Sequence, residues 1–165
     1  MSTLNELHIQ GFKSIHDQTL HFGPLNVIIG ANGVGKSNLI EVFRLLRQVT
    51  SGSLQTYTGK SGGANAMLHF GRKVTERMEI RIDFHLDERN SNIYALALIP
   101  TNEDRFIFEL EQTFFQDMVQ FPDRPYKEDE WSGHAEARIA KAGGRIAQHV
   151  RRHLEIGRAS CRERV

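Results

Sequence analysis

Hydrophobic and polar residues alternate most regularly in "MEIRIDFHL", where Met78, Ile80, Ile82, Phe84 and Leu86 share one face and Glu79, Arg81, Asp83 and His85 the other. A period of two marks a half-buried strand. Shorter runs predict further strands: "LNELHIQGF" (Leu4 to Phe12), with Leu7 and Ile9 on one face, and "TLHF" (Thr19 to Phe22). After the Gly23-Pro24 turn, "LNVII" (Leu25 to Ile29) is continuously apolar and predicts a more buried strand. "NIYALALI" (Asn92 to Ile99) and "RFIFELE" (Arg105 to Glu111) follow the long strand across turn-like "DERNS" and "PTNED", which predicts a three-stranded antiparallel meander. From Asn38 the period changes. Leu39, Val42, Phe43, Leu46 and Val49 recur at helical spacing, while Glu41, Arg44, Arg47 and Gln48 face away. Residues 51–66 are rich in glycine and serine and read as loop, and "QFPDRPYKEDEWSGH" reads as a polar connection. "AEARIAKAGGRIAQHVRRHLE" (Ala135 to Glu155) predicts a helix with Ile139, Ala142, Ile146 and Val150 on one stripe, weakened at Gly143-Gly144 by about 1 kcal/mol per glycine. No internal repeat is present.

Between the apolar run and the first helix lies Gly30-Ala31-Asn32-Gly33-Val34-Gly35-Lys36-Ser37, followed by Asn38. It matches G-x-x-x-x-G-K-[ST] in the strand-before, helix-after setting that gives the motif its mechanism. A phosphate chain must be approached closely from several sides. Gly30, Gly33 and Gly35 let the backbone wrap and turn its N–H groups inward as an anion nest. The helix start adds unpaired N–H groups and a positive dipole end. Lys36 is placed to meet the β- and γ-phosphates, and the Ser37 hydroxyl to coordinate Mg2+. A glycine-rich turn explains one or two glycines but not the Lys-Ser pair at this offset, so the motif reads as a site for a nucleotide with Mg2+; by itself it does not choose among kinases, GTPases, motors and ABC-type ATPases.

Composition adds little. The 165 residues are 39% hydrophobic and 25% charged, which suits one globular domain. There is no signal peptide and no apolar run of about 18 residues, so the chain reads as cytoplasmic, with no membrane partner. The single cysteine excludes a disulfide framework within the chain. "IGRASCRERV" (Ile156 to Val165) has no apolar period and looks like the translation of a common short-read sequencing adapter, ATC GGA AGA GCG TCG TGT AGG GAA AGA GTG. On that reading residues 156–165 and Cys161 are non-native, and the natural chain continues past Glu155. Removing Arg158, Arg162, Arg164 and Glu163 from 21 basic and 20 acidic residues leaves 18 against 19, a net charge of −1.

"LHIQGFKSIHDQTLHFGPLNVIIGANGVGKSNLIEVFRLL" resembles the N-terminal lobe of the RecF/SMC-like branch of ABC-type ATPases, including the bacterial AAA-family ATPases related to the OLD proteins. The resemblance rests on the opening strand with "GFKSI", on "FGPLN" leading into the P-loop, and on "GKSN" followed by "LIEVFRLL". It is close from Leu4 to about Leu46 and looser beyond. It implies that Lys13 and Ser14 lie against the nucleotide. It also implies ATP hydrolysis by a dimer of heads, with work on DNA or a defence effector by analogy alone. Such heads take a Walker B aspartate, a catalytic glutamate, a switch histidine and a signature motif from a second lobe. "FHLDE" (Phe84 to Glu88) is the nearest approach to Walker B, but its alternating strand suits a half-exposed strand ending in a charged turn. Gln112, Gln116 and Gln120 are open candidates for a glutamine reaching Mg2+.

The expected fold is therefore α/β. It is a P-loop NTPase of ABC-type N-terminal-lobe architecture, with a strand–P-loop–helix core, an antiparallel β meander and a C-terminal helix, and it is an incomplete domain. Residues 1–133 form the lobe, 134–155 begin a helical insertion, and 156–165 are the tail. No catalytic residue is assigned in this chain. Two other classes stay open: a stand-alone P-loop kinase of a small molecule, disfavoured by the antiparallel meander, and a non-catalytic nucleotide-binding module. His149 and His153, at i and i+4, lack a third metal ligand. Arg138, Lys141, Arg145, Arg151 and Arg152 make the last helix basic, which suits a solvated face better than a phosphate-backbone contact.

Overall fold

The computed structural model describes residues 3–29 and 35–156; Met1, Ser2, Gly30 to Val34 and the tail from Gly157 lie outside the described residues. Its frame is a six-stranded antiparallel sheet built from β1 (Thr3–Phe12), β2 (Ile15–His21), β3 (Met78–His85), β4 (Asn90–Pro100), β5 (Phe106–Asp117) and β6 (Tyr126–Trp131), in the order β2-β1-β3-β4-β5-β6. Alternation decides its faces. Met78, Ile80, Ile82 and Phe84 are buried on β3, and their partners Leu7 and Ile9 on β1 and Tyr94, Leu96 and Leu98 on β4 continue the apolar face. That face is covered by α1 (Lys36–Thr50) and α4 (Arg145–Ile156), with the short α2 (Leu54–Lys60) and α3 (Ala64–Met67) beside them. Leu39, Val42, Leu45, Leu46 and Val49 of α1 and Ile146, Ala147, Val150 and Leu154 of α4 supply the helical half of the core.

Four sequence expectations are corrected. Residues 25–29 are not a strand: Leu25 is 83% exposed, Val27 71% and Ile29 88%. An apolar run becomes a strand only where another strand takes its N–H and C=O groups, and among the described residues none lies beside it. Within 51–66, α2 and α3 replace the expected loop; the Glu136 carboxylate accepts the N–H groups of Leu54 (2.7 Å) and Gln55 (3.0 Å), satisfying the start of α2 from 82 residues away. The polar connection contains β6, whose charged "YKEDEW" suits an edge strand. The last helix begins at Arg145 rather than near Ala135. The amide N–H groups of Arg138 (2.8 Å) and Ile139 (3.1 Å) bond the Glu111 carboxylate, and Gly143-Gly144 interrupts the pattern before Glu128 caps Arg145 and Ile146, each at 3.1 Å.

Glu111 is the polar centre of the core. It is fully buried on β5 and accepts four hydrogen bonds: from the Tyr94 hydroxyl (2.8 Å), His134 Nε2 (2.7 Å) and the two amides just named. Burial, then the Glu111 charge, pushes the Tyr94 phenol well above its usual range. Through Glu111, the irregular segment 134–139 is seated on the sheet.

Candidate functional site

Helix α1 starts at Gly35, whose φ of 97° and ψ of 5° are left-handed, a conformation that any side chain resists. A Cβ there would lie 2.8 Å from Ser14 Oγ. Conformation and close approach thus demand glycine independently. Among the described residues no side-chain hydrogen bond caps the helix start, and no acidic residue occupies its first turn. The positive dipole end of α1 is electrostatically suited to an anion.

The β1–β2 turn is fixed against this helix end. Lys13 is left-handed (φ 47°), its N–H donates to Met67 O at 2.9 Å, and its carbonyl accepts from His69 Nδ1 at 2.6 Å. Asn38 Nδ2 donates to Ser14 Oγ at 2.7 Å. The Lys13 ammonium pairs with the Glu41 carboxylate one turn further along α1. The structure thus brings Lys13, Ser14, Gly35, Lys36, Ser37 and Asn38 to one place. Gly30, Ala31, Asn32, Gly33 and Val34 lie outside the described residues.

A cavity of about 630 Å3 opens there, lined by Ser14, Gly35, Lys36 and Leu39 at the helix end, by His16, Asp17 and Gln18 along β2, and by Val27, Ile28 and Ile29. Its volume is within the usual range for a small-molecule site. Asp17 Oδ1 is held by His8 Nε2 at 2.9 Å. His16, Asp17 and Gln18 were missed in the sequence because β2 was expected only from Thr19. "HDQ" carries no periodic signal that would place it on a strand.

The other candidates are elsewhere. Gln112, Gln116 and Gln120 do not line the cavity: Gln112 Nε2 bonds Glu130, Gln116 Nε2 bonds Pro122 O, and Gln120 N–H donates to Asp117 Oδ1 at 2.9 Å. Asp87 closes the β3–β4 turn by accepting from the N–H groups of Arg89 and Asn90, each at 2.8 Å, which also lowers its pKa, the Asn90 side chain contributing most. The strand end with a charged turn is what is found. His149 and His153 stack at 4.2 Å against Phe84, and among the described residues no group of three metal-ligating side chains occurs. Arg151 turns inward and donates to Ala142 O at 2.7 Å, while Arg138, Lys141, Arg145 and Arg152 are exposed. No helix among the described residues is long and apolar enough to cross a membrane.

The family model described as an AAA domain matches residues 6–144. The DNA replication and repair protein RecF of Limosilactobacillus reuteri (strain DSM 20016) is 46% identical over 44 residues, 26% of this chain and 12% of RecF. The DNA repair protein RAD50 of Saccharomyces cerevisiae is 32% identical over 120 residues, 70% of this chain and 8% of that protein. The DNA double-strand break repair Rad50 ATPase of Sulfolobus acidocaldarius is 35% identical over 94 residues, 53% of this chain and 10% of the relative. The chain thus spans about a tenth of the length of the curated relatives it matches. A chain solved in work on ATP-driven dimerization and DNA-stimulated activation of SMC ATPases is 18% identical, with a TM-score of 0.47 over 92% of this chain and 77% of its own.

Proposed function

We propose, on the premise that this chain belongs to the AAA domain family and is of its RecF/SMC-like kind, that it binds ATP with Mg2+ at the start of α1. The observation that carries the reading is the convergence of Ser14, Gly35, Lys36, Ser37 and Asn38 at the start of α1, where it opens into a cavity.

Division of labour follows from the chemistry. The backbone N–H groups from Gly30 to Gly35, with Ala31, Asn32 and Val34 between the glycines, wrap the phosphates. Lys36 meets the β- and γ-phosphate oxygens as a point charge. Asn38 fixes Ser14, which with Lys13 closes the site from the β1–β2 turn. Ser37 is exposed on a first turn without a carboxylate. That donor set fits a hard cation held mainly by phosphate oxygens and water. Mg2+, when bound, neutralises phosphate charge; the residues of this chain position and shield.

Residues 1–133 are then the first lobe of an ATPase head, 134–155 the start of a helical insertion seated by Glu111, and 156–165 an adapter-derived tail. Hydrolysis belongs to a cytoplasmic homodimer of heads whose remaining motifs lie outside these residues. Work on DNA is suggested by the relatives' names. This chain alone should hold nucleotide without turnover: a hydrolytic water needs a carboxylate to orient it, and Asp17, the one acidic residue among the described residues lining the cavity, turns its carboxylate to the other face of the sheet, where His8 engages it. Fluorescent-ATP binding with and without Mg2+ tests the reading. Ser37→Ala should abolish most of the Mg2+ enhancement; an enhancement equal to wild type would remove Ser37 from the metal site.

A further inference from the structure

The polar wall that β2 gives the cavity is unexplained by phosphate binding. On β2, Gln18 pairs with Ile9 and Leu20 with Leu7. Directly paired residues project to the same face, and Ile9 and Leu7 are buried on the helix-covered face. Gln18 therefore projects toward α1 and into the cavity, whereas Asp17, one residue away, projects to the opposite face and meets His8. Among the described residues the Gln18 carboxamide makes no hydrogen bond, although it lines the cavity.

Position along the strand is also informative. Ser14 is bonded to Asn38 at the phosphate end. Gln18 is four residues further on, about 13 Å at 3.3 Å per residue. The exposed side chains of Val27 and Ile28 line the same cavity. Beside the phosphate-facing groups the cavity thus offers apolar side chains and the Gln18 carboxamide. A flat heteroaromatic ring with a polar edge is the chemistry that fits it.

We infer that Gln18 reads the base edge of the bound nucleotide and selects adenine, an inference that rests on the nucleotide site proposed above. A carboxamide offers one donor and one acceptor side by side, which matches the adjacent donor and acceptor on adenine's edge. A carboxylate offers acceptors only and matches guanine's N1–H and N2–H2 donors instead.

The test is calorimetry on the full chain with ATP, GTP and inorganic triphosphate. Wild type should prefer ATP over GTP. Gln18→Ala should lower ATP affinity about tenfold or more while leaving triphosphate affinity unchanged, and Gln18→Glu should shift the preference toward GTP. Gln18 is exposed on an edge strand, so both variants should keep the wild-type circular dichroism and melting curve. If Gln18→Ala binds ATP like wild type while Lys36→Ala loses both ATP and triphosphate, the base lies elsewhere and the assignment of Gln18 is overturned with the nucleotide site intact. If Lys36→Ala changes neither, the nucleotide site itself fails.

Discussion

Removing the Glu111 carboxylate should be the most damaging single change in the sheet. Glu111→Ala strands four groups in a dry interior: the Tyr94 hydroxyl, the His134 ring nitrogen, and the amides of Arg138 and Ile139. Each unsatisfied buried group costs about 1–3 kcal/mol, and the truncation also leaves a void. Water entering that void recovers part of the loss, so the expected cost is about 4 kcal/mol or more, a large share of the roughly 5–15 kcal/mol that holds a domain together. Glu111→Gln keeps the shape and one acceptor oxygen. If its NH2 group replaces the oxygen that faces Arg138 N–H, one donor meets another, and His134 can adapt by changing tautomer. That variant should cost about 2 kcal/mol. Urea unfolding gives both numbers from the midpoint at constant slope, and amide exchange at Arg138 and Ile139 locates the damage. A Glu111→Ala cost under about 0.5 kcal/mol, or unchanged protection at those two amides, would refute the view that this carboxylate seats segment 134–139.

Two further outcomes follow from the geometry. Gly35→Ala should destabilise the chain by about 1–2 kcal/mol and lower ATP affinity, because the new methyl group meets Ser14 Oγ at 2.8 Å and φ is 97°; thermal melting and calorimetry check it. Burial, then the neighbouring His153 and Arg152, holds the His149 pKa below its ordinary 6.5, so the unfolded chain binds the proton more readily. This contribution to stability is present above about pH 6.5 and is lost as pH falls below it, and His149→Gln should flatten that part of a melting-against-pH profile.

The strands were legible where alternation was strict, as in Met78 to His85, and α1 was legible from its period. What could not be read depended on partners distant in sequence. Leu25 to Ile29 has a strand's composition, but a strand exists only with a neighbour. The start of α2 is satisfied by Glu136 and the end of the apparent helix at Arg138 and Ile139 is taken by Glu111, contacts that no local pattern announces. Of the proposed site residues, Gly35 to Asn38 were named from spacing and chemistry. Lys13 and Ser14 came from the family resemblance, and the structure adds the Asn38–Ser14 bond and the Lys13–Glu41 pair. Gln18 needed the β1–β2 register, which turns an unremarkable polar residue toward the cavity.

The central claim is that the start of α1 holds the triphosphate of ATP. Calorimetric titration of ATP with Mg2+ into the wild-type chain and into Lys36→Ala tests it most directly. Lys36 carries the charge assigned to the β- and γ-phosphates and lines the cavity at the start of α1. Losing a charge-assisted phosphate contact of about 1.5–3 kcal/mol corresponds to a drop of roughly ten- to hundredfold or more. The account predicts measurable wild-type binding and that drop in the variant, with both proteins melting alike; equal ATP affinity in the two would contradict it.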